Sequence, residues 1–245
     1  MSFTIDQLSK AFSSAENKGS PQNTFGNFYR FWGADSGVAS IVRFIPDPDA
    51  ENPLLWTVPK HTHRLRIGTS TVNVPCLKHD YGEECPICKK SAEYYKKEGK
   101  ETIMGKALYR GRSNIAQVLV IDDPLEADAE TGENSNGKVM AINLGYQLFS
   151  VIAETVKSGE LENPFMNLDT GTHFQIKSNS DGRWKNYSMG SKFLRKETPL
   201  TDAEIAVINE TAVPLSKFLP EKPDLEWVEL MLTAFIEQDE DAVAQ

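Results

Sequence analysis

Apolar positions along this chain fall in short runs separated by polar, proline-broken stretches. The run 38–45 (VASIVRFI) is rich in β-branched residues and stops at Pro46 and Pro48, which predicts a strand. Residues 115–121 (IAQVLVI), stopped by Asp122-Asp123-Pro124, predict a second, and 138–142 (KVMAI) a third. Over 61–67 and 71–76 the period is two, which predicts a hairpin around Gly68-Thr69-Ser70-Thr71. One of its faces carries His61, His63, Leu65 and Ile67, and the other Thr62, Arg64 and Arg66. A four-residue loop would set His63 opposite Cys76. Residues 172–178 and 183–189 flank Ser180-Asp181-Gly182 and predict a second hairpin.

Helical periods are fewer. Residues 144–158 fit one and end at Gly159. Thr201-x-x-Glu204 is a capping box that opens a short helix. Residues 224–236 place Leu225, Val228, Leu232 and Phe235 on one face. Residues 1–24 are polar and Ser/Asn-rich, and read as an arm with a short helix near Ile5–Phe12. Short strands with a few helices predict a mainly β fold with α, a small barrel before a sandwich.

Composition narrows the class. The chain has 245 residues, enough for one core with a subdomain grafted on. No stretch approaches 18 apolar residues, and the N-terminus has no basic, then apolar, leader. A soluble cytoplasmic protein with no membrane partner is expected. The net charge of −9 is unevenly spread. Residues 60–112 hold twelve Lys/Arg against six Asp/Glu, and residues 173–197 hold six against two. Acids concentrate instead in 122–133, which has six, and in 218–245, which has eight against one Lys. Two basic segments, an acidic loop and an acidic end suit a chain that meets an anionic partner locally; a solvated surface with random clustering is the plainer alternative.

The cysteines supply the sharpest signal. All three lie at Cys76-x8-Cys85-x2-Cys88, an odd number in one cluster, which argues for a metal knuckle rather than disulfides. A redox C-x-x-C would need a βαβ context and would leave Cys76 idle. Three buried, inert thiols are the plainer alternative. For the fourth ligand, the hairpin favours His63, with His79 at knuckle spacing from Cys76 and His61 as rivals. Four protein ligands would make one Zn²⁺ ion structural. A zinc deaminase would need H-x-E and P-C-x-x-C, and neither is present. No other catalytic constellation stands out, so a non-enzymatic protein is expected.

The basic segments interleave cations with rings. Lys106, Tyr109, Arg110 and Arg112 form one group, with Arg64 and Arg66 on the outward face of the first hairpin. Lys177, Trp184, Lys185, Tyr187 and Lys192 form another. Phosphates need the cations and unpaired bases stack on the rings, so single-stranded nucleic acid is the expected partner. Core packing of some of these rings is the competing reading. A zinc-stapled transcription or adaptor protein, using the acidic C-terminal helix for protein contacts, is the alternative function.

These residues resemble the single-stranded DNA-binding, helix-destabilising proteins of T-even-type tailed bacteriophages. The resemblance runs through Val42-Arg43-Phe44-Ile45-Pro46, His63-x12-Cys76-x8-Cys85-Pro86-Ile87-Cys88, Ile115–Val120 with Asp123-Pro124 and Gly137-Lys138-Val139, then Trp184-Lys185-Asn186-Tyr187 and Ser191-Lys192-Phe193-Leu194. It implies an OB-fold barrel core with an inserted His/Cys3 zinc subdomain, and single-stranded DNA in a basic cleft between them. It supports His63 as the ligand, and implies coating and protection of DNA in replication, recombination and repair. On this basis 1–24 is an N-terminal arm, 25–217 the OB-fold core with the zinc subdomain at about 60–105, and 218–245 an acidic helix and short tail. The family's acidic tail recruits replication and recombination proteins of the polymerase, helicase-loader and recombinase types. Its arm drives self-association of monomers along DNA. Here the first 20 residues hold only Lys10 and Lys18 as bases, and the tail is essentially Glu237–Asp241, both departures from the family's pattern.

Overall fold

The computed structural model describes residues 28–127, 134–180 and 184–238. Among these, the strands are β1 (Ala39–Phe44), β2 (Thr57–Ile67), β3 (Ser70–Pro75), β4 (Arg110–Asp122), β5 (Val139–Leu144), β6 (Phe174–Lys177), β7 (Asn179–Ser180), β8 (Lys185–Asn186) and β9 (Lys192–Phe193). The helices are α1 (Leu77–Asp80), α2 (Pro86–Glu98), α3 (Ile103–Leu108), α4 (Tyr146–Ser158), α5 (Asp202–Thr211) and α6 (Leu225–Glu237). The predicted arm, with its helix near Ile5–Phe12, the acidic residues 128–133 and the tail beyond Gln238 lie outside the described residues. So do Asp181 and Gly182 of the second predicted hairpin turn. No helix among the described residues is long and apolar enough to cross a membrane.

The chain divides into two compact units. One takes Phe25–Val58 and Ser113–Phe218; the other takes Pro59–Arg112 and the chain from Leu219. In the first unit, antiparallel strands follow the order β5-β4-β1-β6-β9. Five strands in an open order suit the partly open barrel of the OB type. Aromatic side chains fill its core: Phe44 lies 5.1 Å from Trp56, and Phe174 lies 4.8 Å from Phe193, ring centre to ring centre. At one edge, Tyr29 donates its hydroxyl to Asp123 at 3.0 Å, and the same carboxylate accepts from the Leu125 and Ser135 amides. That network fixes the start of the acidic loop.

β1 holds an exception to its apolar pattern. Arg43 is fully buried, with Nη2 donating to the Asn167 and Leu168 carbonyls at 2.6 and 3.3 Å. Its burial in an apolar layer draws the guanidinium down to about 10.

In the second unit, β2 and β3 form the predicted hairpin with a corrected register. The loop is the two residues Gly68-Thr69, with Gly68 at φ 55, a positive value that two-residue hairpins favour. His63 therefore pairs with Val74 rather than Cys76. The shift is two residues, so every side chain keeps its predicted face. The inward residues Leu65, Ile67 and Val74 join Leu77, Ile87 and Leu108 in a core that α6 closes. The buried face of α6 is Val228, Leu230, Met231, Ala234 and Phe235. Leu225, expected on that face, is half-exposed because it sits in the first turn, beyond the core.

The second predicted hairpin is also corrected. Among the described residues, only β7 and β8 pair in this region, Asn179 with Asn186 and Ser180 with Lys185. β6 pairs instead with β9, because Phe174 gains Phe193 as a buried cross-strand neighbour. The Gly159 stop and the Thr201–Glu204 capping box form as predicted; Gly159 adopts φ 74.

Candidate metal centre and nucleic-acid interface

Three elements bring four candidate ligands together. β2 brings His63, the end of β3 brings Cys76, and the start of α2 brings Cys85 and Cys88. Pro86 at the first helical position, where a missing N–H is harmless, fixes the turn between the last two. The four ligand atoms lie within 4.8 Å of one another, and His63, Cys76 and Cys85 are buried. His63 Nε2 stands 3.5 Å from the sulfurs of both Cys85 and Cys88, and Cys76 Sγ stands 3.5 Å from Cys88 Sγ. A tetrahedral ion with bonds of about 2.0 Å to nitrogen and 2.3 Å to sulfur separates its ligands by roughly 3.5–3.8 Å. The four residues lie close enough to bind one metal ion and fit that geometry.

The protonation chemistry agrees. Burial pulls the His63 imidazolium down, but hydrogen bonds with the Cys76 and Cys85 sulfurs and the Leu108 carbonyl outweigh it and push it up to about 9. Hydrogen bonds with Cys76 and Cys88 draw the Cys85 thiol far down, while the same contacts push Cys88 far up. Three thiolates this close repel one another, and a cation among them offsets that charge. His63 also donates Nδ1–H to the Leu108 carbonyl at 2.8 Å, which leaves Nε2 free to face the sulfurs.

The two rival histidines are placed elsewhere. His61 is bound by Asp80, through Nδ1 at 2.6 Å and through its backbone amide at 2.9 Å. His79 is exposed, with its ring 5.1 Å from that of His61.

The candidate nucleic-acid contacts fall into two groups, one in each unit. In the metal-bearing unit, Arg64 and Arg66 are exposed on the face of β2 away from the metal. The Tyr109 ring is 54% exposed and carries the Arg110 guanidinium 5.1 Å above it. Arg112 is exposed, and Lys106 pairs with Glu101 at 2.6 Å on the surface.

In the other unit, Trp184 is 78% exposed and Lys192 is exposed, whereas Lys177 is half-buried. Tyr187 sits edge-to-face on Phe31 and packs against the core, so much of its ring is structural. The Lys185 ammonium donates to the Trp32 and Ala34 carbonyls at 2.6 Å each, which ties it to the fold. Trp32, which the sequence reading passed over, is 47% exposed and stands on the same Phe31 ring. Its neighbours Phe31 and Gly33 gave no strand or helix period to mark it.

A family model described as gp32 DNA binding protein like matches residues 36–235 of the chain. A search of the curated proteins gives no match.

Proposed function

Since the chain belongs to the gp32 DNA binding protein like family, we propose that it is a non-enzymatic protein that binds single-stranded DNA with little sequence preference. The family match is the observation that carries this reading. The exposed rings support it: Tyr109 beneath Arg110, and Trp184, offer π-faces next to cations, which unpaired bases and phosphates need and a duplex does not. Coating of single strands in replication, recombination and repair is the role such binding serves. The acidic C-terminal residues are the candidate contact for proteins of those processes.

In this reading zinc is the ion at His63, Cys76, Cys85 and Cys88, because thiolate and imidazole donors in a tetrahedral set suit it. Four protein ligands leave no open position, so the ion is structural. His63 links it to the DNA-binding segment, since the same imidazole holds the Leu108 carbonyl immediately before Tyr109 and Arg110.

Fluorescence titration with oligo(dT) and with a matched duplex, over a salt series, tests the proposal. Strong quenching by the single strand alone is expected. With four or five phosphates neutralised, log K should fall against log salt with a slope of about −3. Equal affinity for duplex, or affinity insensitive to salt, would overturn it.

A further inference from the structure

Beside the metal cluster, on the side of His63 and Cys88, the metal-bearing unit has a concavity. It is a hollow of about 310 Å³ whose wall includes Lys78, His79, Cys88, Tyr95, Tyr109 and Arg110. It is far larger than the space between four ligand atoms. At about 30 Å³ per water it equals roughly ten waters, enough for a nucleobase with its phosphate.

The lining has the chemistry of a nucleotide. Tyr95 and Tyr109 meet edge-to-face with centroids 6.2 Å apart, an arrangement that leaves a ring face for a third aromatic partner. Arg110 lies across Tyr109, and its buried Nε has no hydrogen-bond partner among the described residues, so its donor capacity is unspent. Lys78 is exposed at the rim. A divalent ion with three thiolates and a neutral imidazole has one net negative charge. Lys78 and Arg110 together exceed that charge by one, so a cation remains for a phosphate.

We propose that this hollow is a nucleotide subsite in which one base of a single strand stacks against Tyr95 and Tyr109 while its phosphate is held by Lys78 and Arg110. The subsite rests on the single-strand reading above and gives that reading a fixed point beside the metal. Neither Lys78 nor Tyr95 was among the contacts expected from sequence.

The test uses the full chain and an oligo(dT) 8-mer carrying one 5-iodouracil, cross-linked by light and mapped by mass spectrometry, with Lys78→Gln as the companion variant. Cross-links to Tyr95 or Tyr109 are expected. For Lys78→Gln the salt slope should shrink by about 0.7 and the affinity should fall about fivefold at 0.1 M salt, with unchanged metal content. Normal binding of the 8-mer with cross-links only outside the hollow, and an unchanged slope in the variant, would overturn the subsite and leave single-strand binding standing. Loss of metal from Lys78→Gln would assign that lysine to the metal centre and also overturn the subsite. Thymidine 5′-monophosphate alone, if it bound as tightly as the strand, would make the hollow a free-nucleotide site instead. Failure of the wild-type chain to bind the 8-mer would remove both readings.

Discussion

Replacement of His63 by Ala separates the metal ligand from its rival in one step. His63 is fully buried, with Nε2 3.5 Å from two sulfurs and Nδ1 2.8 Å from the Leu108 carbonyl. Structural zinc contributes on the order of 10–16 kcal/mol, so an even quarter share is about 2.5–4 kcal/mol, or roughly 70- to 1000-fold in metal affinity. A second loss adds to it, because the buried Leu108 carbonyl is left without its donor, at about 1–3 kcal/mol. The sum is comparable with the whole stability of a small domain, roughly 5–15 kcal/mol. The metal-bearing unit of His63→Ala should therefore melt early even with zinc present. Competition with a chromophoric chelator gives the affinity, and near-ultraviolet circular dichroism gives the loss of packing. His79→Ala is the control, since His79 is exposed and stands outside the cluster, and its metal affinity should stay within about twofold. Metal loss in His79→Ala with retention in His63→Ala would refute the ligand assignment and the geometry behind it.

Trp184→Ala should leave the melting temperature nearly unchanged, because the ring is mostly exposed, yet weaken oligo(dT) binding by about 1–3 kcal/mol in a fluorescence titration. Gly171→Ala should destabilise the strand-bearing unit by more than about 2 kcal/mol in urea unfolding, because a β-carbon there meets the Phe165 and Asn167 backbone carbonyls, which cannot swing away. Tyr81 donates to the Pro220 carbonyl at 2.6 Å, and burial pushes its phenol up to about 12. A raised pKa means its contribution is complete below pH 10 and is lost as pH rises through 12, so Tyr81→Phe should flatten that limb and cost about 1 kcal/mol at neutral pH. His173 is held below its ordinary value by burial and by the Arg43 charge, so stability should decline as pH falls below about 6.5, and His173→Gln should reduce that decline in an acid titration.

The parts of the fold that were legible share a physical cause. β1, β4 and β5 came through because β-branched runs between proline or acidic stops permit little else. The metal cluster came through because three cysteines at that spacing have few uses. The hairpin loop was misread by two residues. Ser70 and Thr71 look like loop residues, yet they extend the ladder opposite Ile67 and Arg66. The face assignment survived because pleat parity is unchanged by an even slip. Helix α2 went unpredicted because few apolar side chains mark its period and its buried positions are Ile87 and Ser91. Its ends were marked nonetheless, by Pro86 at the start and by Gly99 at φ 81 past the end. Buried Arg43 was hidden because the carbonyls that receive it lie 124 and 125 residues away. No local pattern reports a partner at that range.

The separation of α6 from the rest of its core also sets an order of events during synthesis. Every candidate metal ligand has left the ribosome soon after Cys88, by which point the inward residues from Leu65 to Ile87 are also out, and Leu108 follows shortly after. Val228, Met231 and Phe235, which close that core, come more than a hundred residues later. At about 5–20 residues per second the gap is several seconds to some twenty seconds. Through that interval the nascent unit exposes an apolar face, and bonds from four early residues to one ion are the means available to hold it in shape. Metal supply during translation, rather than afterwards, would then govern the yield of folded protein.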